Sequence, residues 1–232
     1  MDMSRRETMQ LSATALAALS LAAINPSASL AQNAPQPDKL VDTPLRKIAD
    51  LPLKPDGSAV EYTQAETGPI MGVLWKTKNQ TPDIEFDYRK MKVKLDGRGT
   101  SKLSGTLQFS DLEKLPRTSM ITMLQCGAPN PHGIVKWTGV KFSDFAQSVG
   151  AQSFANYVRF VGSDLYFLDD DMKTLNHPQV MLAWMMNDAP IPPRHGAPLR
   201  LIVPFRYGNR SIKAITEMMF ATPGLPMPPL PA

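Results

Sequence analysis

The sequence predicts a β-rich α+β domain, and three observations carry that reading. Apolar stretches of strand length recur between turn residues from about residue 91 to residue 203. One stretch, residues 142–149, reads as a short helix. No alternation of strands with helices and no glycine-rich phosphate loop occurs, which argues against a doubly wound parallel sheet.

The elements follow in order. Met91-Lys92-Val93-Lys94-Leu95 alternates and runs into the turn dipeptide Asp96-Gly97. Residues 118–125 form an apolar strand that leads straight to Cys126. The helix over residues 142–149 has Ser143 as its cap candidate and Gly150 as its stop. Residues 157–161 and 165–168 read as two strands around Gly162-Ser163-Asp164. Residues 180–186 make another strand, closed by the Asn187-Asp188 turn, and residues 199–203 a further buried one. The methionine pairs Met185-Met186 and Met218-Met219 read as core filler.

Both ends differ from this middle. Ser4-Arg5-Arg6-Glu7 precedes an uncharged run over residues 11–24, and Ser29-Leu30-Ala31 follows. A basic start, a short apolar stretch and small residues make a cleavable export signal, residues 1–31. The run is too short for a stable span, which needs about 20 residues. The paired arginines point to the twin-arginine translocase, although Thr8 and Gln10 stand where that motif prefers Phe and Lys. Residues 32–45 read as a Pro-containing linker, residues 46–220 as the domain, and residues 221–232 as a tail with five prolines that forms neither helix nor central strand.

The formal net charge of +4 comes without a Lys/Arg cluster, which argues against nucleic acid as a partner. Cysteine usage says more. Exported proteins normally pair their cysteines, yet this chain has one, Cys126. It is either a small buried hydrophobe or a functional thiol.

The residues with chemistry fall in three segments. Leu124-Gln125-Cys126-Gly127 is followed by Lys136-Trp137-Thr138-Gly139. His195-Gly196-Ala197-Pro198-Leu199-Arg200 follows the Asn187-Asp188 turn, and Tyr207-Gly208-Asn209-Arg210-Ser211-Ile212-Lys213 comes next. An Arg fork, a Lys, a His and a Ser hydroxyl beside glycine-exposed backbone suit a phosphate-bearing organic ligand. The same residues suit an alternative in which Arg200 pairs internally with Glu217 or Asp188 and Lys213 is solvated.

This order of segments resembles the sulfite oxidase-type molybdopterin-binding family, most of all its small bacterial branch, over about residues 72 to 220. The His195-Gly196-Ala197-Pro198-Leu199-Arg200 segment is the most specific part. The resemblance implies that family's single-domain fold and a molybdenum–molybdopterin cofactor, with Cys126 as metal ligand and catalytic residue. It implies that Asn79, His195, Arg200, Ser211, Ile212 and Lys213 hold the cofactor. Lys78 and Gln80 stand where the family has Arg and His. No arginine follows Cys126 closely, so the resemblance implies a neutral oxygen-atom substrate, a sulfoxide or N-oxide, over sulfite. No Cys-x-x-Cys-His haem motif occurs, so the expected electron partner is external, a c-type cytochrome or a membrane haem protein. The chain is expected to be periplasmic, or otherwise exported, and a monomer. The alternative function is a non-catalytic pterin-binding or scaffold relative of the same fold.

Overall fold

Two five-stranded sheets share one hydrophobic core in the computed structural model, which describes residues 48–70, 82–127 and 132–222. In the first sheet the order is β2-β1-β10-β5-β6, built from β1 (Lys92–Asp96), β2 (Gly105–Gln108), β5 (Tyr157–Gly162), β6 (Phe167–Asp171) and β10 (Ile215–Ala221). In the second the order is β3-β4-β7-β8, from β3 (Arg117–Gln125), β4 (His132–Lys141), β7 (Met181–Met186) and β8 (Ala189–Pro190). The last strand of that sheet, β9 (Arg200–Ile202), lies on β7. Three short α-helices, α1 (Phe109–Leu112), α2 (Phe142–Ser148) and α3 (Met172–Leu175), connect the strands. All the described residues fall in one compact unit, Lys47–Ala232.

Alternation along the strands explains the core. On β7, Leu182 and Trp184 face the core between the sheets, whereas Met181 and Ala183 face a second cluster with Trp137, Leu124 and Ala197. Phe142, Phe145, Phe160 and Phe220 fill the first core, with ring centroids 5.7 Å apart for Phe142 and Phe145 and 5.8 Å for Phe142 and Phe160. Edge-to-face packing of this kind stabilises beyond area burial alone. Gly139 is required where β4 bulges against β7, because a Cβ there would stand 1.9 Å from the Leu182 carbonyl oxygen. This accounts for the glycine of the Trp-x-Gly motif.

The structure corrects two local expectations. Lys141, not Ser143, is the N-cap of α2, and no side chain caps it. Lys141 still pairs with Met181, and the Phe142 N–H donates to Val180, so the strand ladder runs into the helix and satisfies its first orphan N–H. The second strand of the hairpin runs over Phe167–Asp171 rather than from residue 165. Leu165 sits in the turn with φ 62°, its N–H donating to the Gly162 carbonyl. The apolar Leu165-Tyr166 pair therefore hides a turn within an otherwise strand-like pattern. Asn187 and Asp188 both have positive φ, 48° and 64°, as the two-residue β7–β8 hairpin demands. One pairing had no sequence signal: β1 and β10 run parallel, with Lys94 opposite Glu217.

Candidate functional site

The site forms where the end of β3 meets the segments on either side of β9. Cys126 follows the last residue of β3 and is partly exposed, a free thiol. Gln125 before it is buried, and its Nε2 donates to the Ala49 carbonyl at 3.0 Å. The Tyr207 hydroxyl donates to the same carbonyl at 3.1 Å. Gly208 then passes so near that a Cβ would stand 3.3 Å from the Gln125 carbonyl oxygen and 3.7 Å from the Cys126 nitrogen. A side chain at position 208 would crowd that backbone.

A 3₁₀ turn, Pro193–His195, ends on Gly196 at φ 107°. A Cβ on Gly196 would stand 2.7 Å from the Lys213 Cβ, so His195 and Lys213 come from strands of chain packed side by side. Backbone bonds from Ala214 to Gly196 and from Ile215 to Leu199, each 3.0 Å, hold that contact. Ser211 and Ile212 point inward: the Ser211 hydroxyl accepts from the Val203 N–H at 3.0 Å, and Ile212 belongs to the core. Of their backbone groups, the Ser211 N–H already donates to the Gly208 carbonyl and the Ile212 carbonyl already accepts from the Leu201 N–H. Asn79, Lys78 and Gln80 lie outside the described residues.

Arg200 decides what this arrangement can hold. Register places it opposite Ala183, so alternation sends its side chain to the Trp137 face of the sheet, where it is 3% exposed. Its Cζ lies 5.1 Å from the Trp137 ring centroid, and Nη1 donates to the His195 carbonyl at 2.7 Å. The internal ion pairs open to it in sequence do not form. Glu217 pairs with Lys94 at 2.6 Å, and Asp188 with Lys136 at 2.7 Å. Arg200 thus has no carboxylate partner among the described residues, and a buried charge in that position requires one. Arg200 Nε and Trp137 Nε1 are both buried donors without an acceptor among the described residues, and Ser163 Oγ is likewise buried and unpaired. This donor set fits an anionic, hydrogen-bonding organic group.

The electrostatics agree. Burial lowers Arg200 to about 9. Burial, then the Arg200 charge, lowers Lys213 to about 7, against the pull of Asp164 and Cys126. Burial, then Arg200, Arg194 and Lys213, lowers His195 to about 4, leaving a neutral imidazole at neutral pH. Burial is the first cause of each depressed value, and for Lys213 and His195 the neighbouring cations add to it. It follows that from pH 7 to about 10 the unfolded chain binds more protons than the folded one, through Lys213, and that stability rises with pH. The melting temperature of cofactor-free protein should climb over that window, and Lys213→Gln should flatten the climb. A wild-type curve no steeper than the variant's would show that Lys213 is not buried beside Arg200.

A family model described as the oxidoreductase molybdopterin binding domain matches residues 78–224. The chain belongs to that family. Its fold is the sulfite oxidase-type molybdopterin-binding fold, as the sequence predicts, and its cofactor is molybdenum–molybdopterin. A chain of Azospira oryzae named "Putative protein-methionine-sulfoxide reductase subunit YedZ1" is 32% identical over 61% of this chain and 53% of its own length. The protein-methionine-sulfoxide reductase catalytic subunit of Xanthomonas campestris is 26% identical over 87% of this chain and 68% of its own. The sulfane dehydrogenase SoxCD from Paracoccus pantotrophus superposes with a TM-score of 0.53 at 20% identity, over 59% of this chain and 39% of that one. The chain spans about half the length of the Azospira relative.

Several residues at this site carried no sequence signal. Trp137 stood in a recognised motif without a role, Ser163 and Asp164 read only as hairpin connection, and Tyr166 only as a strand residue. Trp137 reaches the site from β4, against Arg200, whereas Ser163, Asp164 and Tyr166 arrive with the β5–β6 turn, whose Ser163 N–H donates to the Ala214 carbonyl at 2.9 Å.

Proposed function

We propose that this chain is an exported molybdenum–molybdopterin oxidoreductase that transfers an oxygen atom on a small polar substrate, a sulfoxide or N-oxide in preference to sulfite. The observation that carries the cofactor site is the buried Arg200 guanidinium, which lacks a carboxylate beside a second orphaned donor, Trp137 Nε1. Arg200 and Lys213 hold the pterin phosphate, the neutral His195 hydrogen-bonds to it, and the 211–212 backbone and Asn79 complete the contacts. Cys126, partly exposed at the end of β3, would be the thiolate ligand of the metal. When bound, the cofactor supplies the two-electron oxygen-atom transfer. Reduction of a sulfoxide consumes two electrons and two protons and releases a thioether and water. The electrons come from an external partner, a c-type cytochrome or a membrane haem protein. Two relatives named for protein-methionine-sulfoxide reductase support the sulfoxide.

Protein purified with residues 1–31 intact should contain about one molybdenum and one pterin per chain. With reduced viologen it should turn over methionine sulfoxide and not sulfite. Absence of molybdenum would return the reading to a non-catalytic scaffold.

Export rests on residues 1–31, outside the described residues. Arg5→Lys together with Arg6→Lys should leave the precursor in the cytoplasm, seen by fractionation. Normal export of the double variant would remove the twin-arginine route.

A further inference from the structure

The β5–β6 hairpin reaches the turn Gly208–Arg210 from one side, while Gln125 and Cys126 back it from the other. The Tyr166 hydroxyl donates to the Asn209 carbonyl at 3.0 Å. Arg210 Nη2 donates to the Asp169 carbonyl at 2.6 Å and forms an ion pair with the Asp170 carboxylate. Asp169 is itself fixed, since its carboxylate takes both Arg159 Nε and Nη2 at 2.6 Å. Tyr166 is half-buried, and burial first, then Asp164, Asp170 and Cys126, raise its pKa against Arg210, so the hydroxyl remains a donor. These contacts span some forty residues of sequence and converge on one three-residue turn.

We propose that Tyr166 and Arg210 are positioning residues, which clasp the Gly208–Arg210 turn to the β5–β6 hairpin and so fix the backbone that abuts Cys126 and leads into Lys213. The turn needs an external hold because its own 3₁₀ bonds are few and Asn209 is exposed. The clasp stands on geometry alone; that it tunes a metal ligand rests on the function proposed above.

The test uses purified holoprotein and Tyr166→Phe, which removes one hydroxyl and leaves the ring. Amide hydrogen exchange over residues 209–211 should speed up about fivefold, the size of one lost neutral hydrogen bond, while exchange in β1 and β2 stays as in wild type. Arg210→Lys, which keeps the charge but loses the paired donors, should act on the same amides. Molybdenum content should hold, and the molybdenum EPR spectrum should shift in both variants. Unchanged exchange over residues 209–211 in both variants overturns the clasp, as does acceleration spread evenly over all strands. If wild-type protein holds no molybdenum, the function proposed above fails, while the exchange result still decides the clasp.

Discussion

Cys126→Ser should yield a folded chain that still binds pterin but loses turnover. The substitution exchanges a soft, readily ionised thiolate for a hydroxyl of much higher pKa, so it removes a metal ligand while changing little volume. Loss of groups one shell further out at metal sites costs about 10–100-fold, so loss of a direct ligand should exceed about a hundredfold in kcat/KM. Cofactor retention should continue, because the pterin phosphate is assigned to Arg200 and Lys213 rather than to Cys126. Cys126→Ala should match Cys126→Ser, which separates ligand loss from any effect of the new hydroxyl. Absorption spectra and viologen-linked turnover decide this. Wild-type turnover and spectrum in either variant would reduce Cys126 to a partly exposed thiol with no part in the chemistry.

Arg200→Ala should release the cofactor. Truncating one partner of a buried charge pair costs about 2–5 kcal/mol, a factor of about 30 to several thousand in affinity. Lys213→Ala should act in the same direction but less, since Lys213 is less buried than Arg200. Pterin content after purification measures both. A second variant distinguishes a binding cation from a structural one. In cofactor-free protein, Arg200 carries a buried charge without a carboxylate, so Arg200→Met should leave the melting temperature unchanged or raise it. A clear fall would mean that the guanidinium, through its bond to the His195 carbonyl, holds the fold.

Much of the fold was legible because its signals are local. Period-two alternation marked β1, the Asn187-Asp188 pair marked the β7–β8 turn, and Gly150, at φ 69°, marked the end of α2. The two readings that slipped did so for different reasons. The helix α2 starts straight from the β4–β7 ladder, a non-local contact that moves its N-cap to Lys141, and an apolar Leu165 occupied a turn position. The parallel β1–β10 pair joins the two ends of the domain, and nothing within either strand announces the other.

The site divides the same way. Sequence by itself determined the lone cysteine at a strand end, the His-Gly-x-Pro-Leu-Arg spacing that carries the family resemblance, and the cations that follow it, because residue identity and order are all such a reading needs. It left open whether Arg200 pairs with Glu217, pairs with Asp188 or waits for a ligand. Only the tertiary structure decided that. Strand register sets Glu217 opposite Lys94, and the β7–β8 turn brings Asp188 to Lys136. Arg200 is turned instead onto Trp137 and away from both acids. Which charges meet depends on how distant strands align, and the pattern of charges along the chain is the same for every such alignment.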